Sequence, residues 1–237
     1  DWRLLARSDR HYVREYQEET NLRGLLMLDT SGSMRYGRQF GTKFDYAARI
    51  VASLAYLMLA QTESCGLAAY GARVDRWVAP QSHRSQLSRI IDVLERCEPD
   101  GPSSPDAAMH DAADRLEKRS LIVVLSDFFS PIDRIRGGIA RLRHEGHEII
   151  AMQVIDPDEL EFPFRGFARF RGLEHEAPAL RDTSLLRQRY LENFRRHQQD
   201  LEQACRTAGV EFTRIEIDRP MDDVLIAFLR RRAMARR

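Results

Sequence analysis

The sequence predicts an α/β fold, a three-layer, doubly wound, mostly parallel six-stranded sheet with an irregular insertion after the fifth strand. Three observations predict it. Short runs of branched apolar residues, clearest in Leu121-Ile122-Val123-Val124-Leu125, alternate with longer stretches of helical periodicity, the pattern of parallel winding. Two apolar runs end in an acid, Leu25-Leu26-Met27-Leu28-Asp29 and Leu121 through Ser126-Asp127, as buried strands do where their carboxyl ends open into a ligand crevice. The chain of 237 residues, 43% hydrophobic and 31% charged, shows no internal repeat and no low-complexity linker, which suits one domain with a full core.

The elements follow in order. Residues 1–22 form a lead-in, and within it residues 12–21 alternate apolar and charged positions as an edge strand or short helix would, with Glu15, Glu18 and Glu19 at the surface. A first strand at 25–28 leads to a helix over about 44–61 and a second strand at 66–70. Gly71-Ala72-Arg73 turns in hairpin fashion into a third strand at 74–79, followed by helices at about 85–96 and 105–118. The strand at 121–125, a helix over about 133–144 stopped by Gly146, and a strand at 148–154 come next. Residues 156–182 change to Pro, Gly, Arg and Phe with alternating charges, the irregular insertion. Its Phe162, Phe164, Phe167 and Phe170 either pin the loop to the core or form a docking patch. A long polar helix over about 184–208, a strand at 211–217 and a helix from 221 to about 231 complete a single domain, 1–237.

Composition excludes several function classes. Lys plus Arg number 37 and Asp plus Glu 36, so a net charge of +1 gives no field that would gather nucleic acid. The basic end, Arg230-Arg231-Arg232 and Arg236-Arg237, reads as a solvated tail. Cys65, Cys97 and Cys205 are odd in number and lack close metal-ligand spacing, as unpaired thiols of a reducing compartment are, and a cytoplasmic location is expected. The best apolar stretch, 46–60, is too short to span a bilayer and contains Arg49. Any membrane association is expected through segments outside this chain, which opens on Asp1-Trp2-Arg3 as a piece of a longer protein would.

The candidate site starts at Asp29-Thr30-Ser31-Gly32-Ser33, an acid and hydroxyls in the spacing D-x-S-x-S at a strand tip. Hard oxygens of this kind suit magnesium or manganese better than zinc. In a sheet of order 3-2-1-4-5-6 the first and fourth strands are neighbours, so Asp29 and Asp127 face one crevice at the switch point. Two carboxylates side by side repel, and a cation between them removes that cost. The loop Asp100-Gly101-Pro102-Ser103-Ser104-Pro105-Asp106 supplies a further hydroxyl. With Pro105 at the first helical position Ser104 is the natural N-cap, which leaves Ser103 for the ion and Ser104 as the alternative. Lys43, Phe44 and Asp45 open the first long helix beside this crevice, where Lys43 tunes the field and Asp45 is not expected to ligate. His144 and His147 flank Gly146 as capping or solvated groups, and His110, His175 and His197 have no partner at ligand spacing.

The arrangement resembles the metal-ion-dependent adhesion site of von Willebrand factor A domains, matched directly by Asp29, Ser31, Ser33 and Asp127, with Ser103 where Thr is usual. The resemblance implies direct ligation by Ser31 and Ser33, ligation by Ser103 directly or through water, and contact with Asp29 and Asp127 largely through water. The metal set is then Asp29, Ser31, Ser33, Ser103 and Asp127, the ion Mg2+, or Mn2+ or Ca2+, and a partner's Glu or Asp fills the open position. Nearly the whole chain resembles the bacterial family called domain of unknown function 58, through Asp1-Trp2-Arg3-Leu4-Leu5-Ala6-Arg7, the Tyr12–Asn21 segment, Leu28 to Met34 and Leu125-Ser126-Asp127-Phe128. That resemblance implies an adaptor or cofactor of a MoxR-type AAA+ ATPase or its client.

Two other functions stay open. Two acids with magnesium also serve phosphoryl transfer or hydrolysis. However, the chain has no G-x-x-x-x-G-K-[ST] loop, no second acid two residues after Asp29, and no G-x-S-x-G around Ser31 or Ser33. The expectation is therefore binding without turnover. The third reading is a structural scaffold with a vacant site.

Overall fold

Strand β1 (Arg23–Asp29) is buried from Gly24 to Asp29, which is why it reads as an unbroken apolar run and not as an alternating one. The structure, a computed structural model, describes residues 22–170, 173–174 and 179–235. The lead-in over residues 1–21, together with His175, Arg236 and Arg237, lies outside the described residues. In chain order β1 is followed by α1 (Lys43–Ala60), β2 (Ser64–Tyr70), β3 (Val74–Gln81), α2 (Gln86–Glu95), α3 (Pro105–Arg115), β4 (Leu121–Ser126), α4 (Ile132–His144) and β5 (Glu148–Ile155). Then come α5 (Pro157–Glu161), β6 (Phe167–Phe170), β7 (Ala179–Asp182), α6 (Thr183–Thr207), β8 (Glu211–Glu216) and α7 (Met221–Ala235).

The main sheet has the order β3-β2-β1-β4-β5-β8. Its pairs are parallel except β2 with β3, which the short turn after Tyr70 makes antiparallel. This is the expected 3-2-1-4-5-6 winding. On one face Leu26 and Leu28 pack with Ala47, Ile50 and Leu54 of α1, Ile90 of α2 and Phe228 of α7. On the other, Leu25, Met27 and Val124 pack with Met109 of α3, Ile135 and Ile139 of α4 and Leu201 of α6. The period-two alternation of β1 thus feeds two cores, one on each side of the sheet.

The insertion is more regular than expected. Asp156 caps α5, its carboxylate accepting the Asp158 N–H while Glu159 reaches back to the Asp156 N–H, and Pro157 takes the first helical position. Strands β6 and β7 then pair as a separate antiparallel hairpin. Four-residue strands leave too short an alternation to be seen in sequence, and their pairing is long-range.

The basic end also departs from a solvated tail. Arg231 donates to Thr213 Oγ1 at 2.9 Å, and Arg232 bridges Glu148 and Glu211 at 2.8 and 2.9 Å, so α7 is fastened across the β5–β8 edge. His147 is buried, its Nδ1 accepting the Ser120 N–H at 3.2 Å, and that burial holds its pKa below the ordinary histidine value. Cys65, Cys97 and Cys205 are free thiols, and burial pushes Cys65 up to about 12. Among the described residues no helix is long and apolar enough to cross a membrane.

Helix α1 begins in a capping box. Thr42 Oγ1 accepts the Asp45 N–H at 3.0 Å, and the Asp45 carboxylate accepts the Thr42 N–H at 3.3 Å. Asp45 is therefore the N3 member of the capping box, with Thr42 as N-cap. Thr42→Ala is expected to cost about 1 kcal/mol, read as a lower urea midpoint with an unchanged slope.

Candidate functional site

Loops from three places meet beyond the carboxyl ends of β1, β2 and β4. Backbone bonds set their register: Thr30 N–H to Tyr70 O at 2.7 Å, Asp100 N–H to Thr30 O at 2.9 Å, Gly32 N–H to Gly101 O at 2.8 Å and Ser104 N–H to Gly71 O at 2.9 Å. Gly101 supports this lacing with a φ of +69°, a left-handed position that costs glycine little. So fixed, the second loop delivers Ser103 to Asp29.

The Asp29 side chain is fully buried. Its Oδ1 accepts the Ser31 N–H at 2.9 Å, and its Oδ2 accepts the hydroxyls of Ser103 at 2.8 Å and Ser126 at 2.6 Å. The Ser31 and Ser33 hydroxyls lie 3.1 Å apart. The fold thus gathers Asp29, Ser31, Ser33 and Ser103. Ser104 sits at the N-cap of α3, but its side chain makes no capping hydrogen bond; the expectation that it would hold backbone amides is corrected.

Asp127 stands to one side, for a reason set by the pleat. Val123 and Leu125 face the α1 core and Val124 the other core, so the next two residues separate in the same way. Ser126 turns toward Asp29 and Asp127 toward α1. There Asp127 Oδ2 accepts from Lys43 Nζ at 2.8 Å, and its Oδ1 accepts the Phe129 N–H at 3.2 Å. Lys43 is completely buried and also donates to Glu159 Oε1 of α5 at 2.7 Å. Phe128, between these groups, has a φ of +56°. A left-handed phenylalanine costs of order 1–3 kcal/mol, and here it is held by its N–H to Ser126 Oγ at 2.8 Å and its carbonyl to His197 Nε2 at 2.9 Å.

Burial, and then the charge of Asp127, raise Asp29 from 3.8 to about 6, against hydrogen bonds from Ser126 and Ser31 that favour the carboxylate. Burial alone would lower the Lys43 ammonium, but the Asp127 and Glu159 carboxylates outweigh it and hold Lys43 above the ordinary lysine value. Glu159 is raised by burial, partly offset by Lys43.

When ionised, Asp29, Asp127 and Glu159 carry three negative charges against the one positive charge of Lys43. The remaining two match a divalent cation, and the donors at hand are oxygens, which fits magnesium, manganese or calcium. Among the described residues no group of three or more His, Cys, Asp or Glu side chains is placed to hold a metal. An ion here would rest largely on hydroxyls.

The insertion walls one side of the site. Tyr36 and Arg38, just after the D-x-S-x-S loop, both bond Asp158 at 3.1 Å. A Cβ on Gly32 would collide with the Leu173 carbonyl, so backbone meets backbone there. The insertion phenylalanines differ in burial. Phe162 is buried, with Phe164 edge-on at 5.1 Å and Tyr190 at 4.9 Å, whereas Phe167 is 76% exposed. The Phe170 side chain lies outside the described residues. Ser126 and Glu159 were not anticipated. Ser126 could have been found from its place beside Asp127, since adjacent strand residues face opposite ways.

The family described as protein of unknown function DUF58 matches residues 1–200. Uncharacterized proteins of Mycobacterium bovis and Mycobacterium tuberculosis are each 28% identical over 245 residues, covering 99% of this chain and 76% of theirs. Among solved structures, an aerotolerance-related membrane protein from Bacteroides fragilis superposes with a TM-score of 0.61 at 15% identity, covering 86% of this chain and 94% of that one. The conserved hypothetical protein BatB from Bacteroides thetaiotaomicron gives 0.54 at 14% identity, covering 81% and 89%. The SpRpn10 VWA domain gives 0.51 at 13%, covering 85% and 92%. At such identities the likeness concerns the fold, which is von Willebrand factor A-like.

Proposed function

This chain belongs to the DUF58 family of proteins of unknown function, and from that premise we propose that it is a protein-binding module which recruits an acidic partner through a divalent ion. The ion, Mg2+ with Mn2+ or Ca2+ as substitutes, would be held by the hydroxyls of Ser31, Ser33 and Ser103, with Asp29 and the Lys43-paired Asp127 reaching it largely through water. One observation supports the reading: the Ser103 hydroxyl and the Ser31 N–H bond the buried Asp29, and the Ser31 and Ser33 hydroxyls lie together beside it, in a cluster with two more carboxylates than it needs to neutralise Lys43. A divalent ion bound by few charged ligands keeps much of its positive field and an exchangeable coordination position. Asp29 orients the Ser31 backbone and the Ser103 hydroxyl, Lys43 steadies Asp127, and the exposed Phe129, two residues after Asp127, offers apolar contact area. The partner class proposed is a MoxR-type AAA+ ATPase or its client.

The test is calorimetric titration of the wild-type chain and of a Ser31→Ala, Ser33→Ala double variant with magnesium and with manganese. The wild type is expected to give heat and to gain roughly 2.7 kcal/mol of stability at a hundredfold excess over the dissociation constant. The double variant is expected to lose both. Co-purification with a MoxR-type ATPase should then weaken in chelator. No heat from the wild type with either ion would refute the reading, and phosphate release from phosphoesters that requires Asp29 would replace binding by catalysis.

A further inference from the structure

Lys43 joins two acids that come from distant parts of the chain. Asp127 directly follows the central strand β4, whereas Glu159 belongs to α5 of the insertion, and each holds the Lys43 ammonium at hydrogen-bond distance, 2.8 and 2.7 Å. The ammonium is fully buried, 5.1 Å from the centre of the Phe129 ring. Glu159 is itself fixed, its second oxygen accepting the Asp156 N–H at 2.9 Å. The same short helix is tied to the site through Asp158, which Tyr36 and Arg38 bond. Two acids therefore share one resident cation, and one of them, Asp127, also answers to the Asp29 cluster through its charge.

We propose that Lys43 is a positioning residue that links occupancy of the ion position to the seating of α5, by dividing its charge between Asp127 and Glu159. The proposal rests on the ion-binding reading above. A positive charge held on Asp127 opposes a second cation nearby, and the acid on Glu159 draws that positive charge away. The two residues should thus shift ion affinity in opposite directions, although neither is a ligand. Linkage makes the effect reciprocal: if an acid on α5 changes ion affinity, the ion changes how firmly α5 is held, by the same factor. The insertion is then part of the surface a partner meets, and its seating reports whether the ion is present.

The experiment measures magnesium and manganese affinity, by calorimetry and by the ion dependence of the melting temperature, for the full chain as wild type, Lys43→Met and Glu159→Gln. Lys43→Met is expected to bind about tenfold tighter and to depend more steeply on the ion for stability, and Glu159→Gln to bind about tenfold weaker. Lys43→Met leaves two buried acids without their cation, so its folding in ion-free buffer is checked before titration; Glu159→Gln keeps both the shape and the Lys43–Asp127 pair, so it tests the link on its own. A merely structural Lys43 would lower the melting temperature without moving the ion constant. Unchanged constants in both variants would overturn the link and leave the ion site standing. A wild type that binds neither ion would overturn the ion-binding reading, and the link with it.

Discussion

Asp29→Asn is expected to stabilise the ion-free protein and at the same time to abolish its response to magnesium. Asp29 titrates near 6 in the folded chain against 3.8 for the free group, chiefly because it is buried. Well below 3.8, at about pH 3, the carboxyl is protonated in both folded and unfolded states and costs nothing. As pH rises from about 4 to 6 the unfolded chain ionises first, so stability falls, and above 6 the folded protein bears the full cost, about 3 kcal/mol. An asparagine keeps the acceptor for the Ser31 N–H and turns its amide toward the Ser103 and Ser126 oxygens, without the charge. In chelator the variant should therefore exceed the wild type by about 1–3 kcal/mol above pH 6, the gap closing by about pH 3. With magnesium the order should reverse, because the ion offsets the charge in the wild type alone. Urea denaturation across this pH range, with and without the ion, reads both effects, and a wild type equally stable from pH 4 to 7 in chelator would contradict the burial argument.

Leu28→Ala, one residue earlier, should do the opposite. Leu28 is fully buried on the α1 face of the central strand, packed in the core with Leu125 and Val51. Removing three buried carbons there is expected to cost about 2–5 kcal/mol, the spread set by how far the neighbours collapse. Its side chain points away from the serines, so the ion affinity of the folded variant should stay at the wild-type value. The urea midpoint and a magnesium titration below that midpoint check the two halves. A changed ion constant would mean that the strand tip moves with the core, and that the site is less rigid than its backbone lacing indicates.

The central sheet was legible because its signal is local. Buried parallel strands read as apolar runs, helices as 3.6-residue stripes, and the two acids at strand tips pointed to one crevice once the strand order was inferred. The antiparallel β3 followed from a short turn, and α5 could have been read from Asp156-Pro157 with Glu159, a capping box with proline at its first position. Lys43 also left a trace. A lysine at the first position of α1 opposes the helix dipole, and such a placement asks for an acid nearby. Which acids answer could not be read, since Asp127 and Glu159 lie 84 and 116 residues away.

Composition and periodicity suffice for the winding order, the two cores and the gathering of acid and hydroxyl residues at one edge, because each depends on patterns within a few residues. The partition of charge inside that edge came only with the packed chain: Asp29 with three serines on one side, Asp127 and Glu159 on Lys43 on the other. Hydrogen bonds and ion pairs between separate loops are chosen by angle and distance after the backbone has closed, and burial, which gives those charges their energy, is a property of neighbours that the linear order does not name.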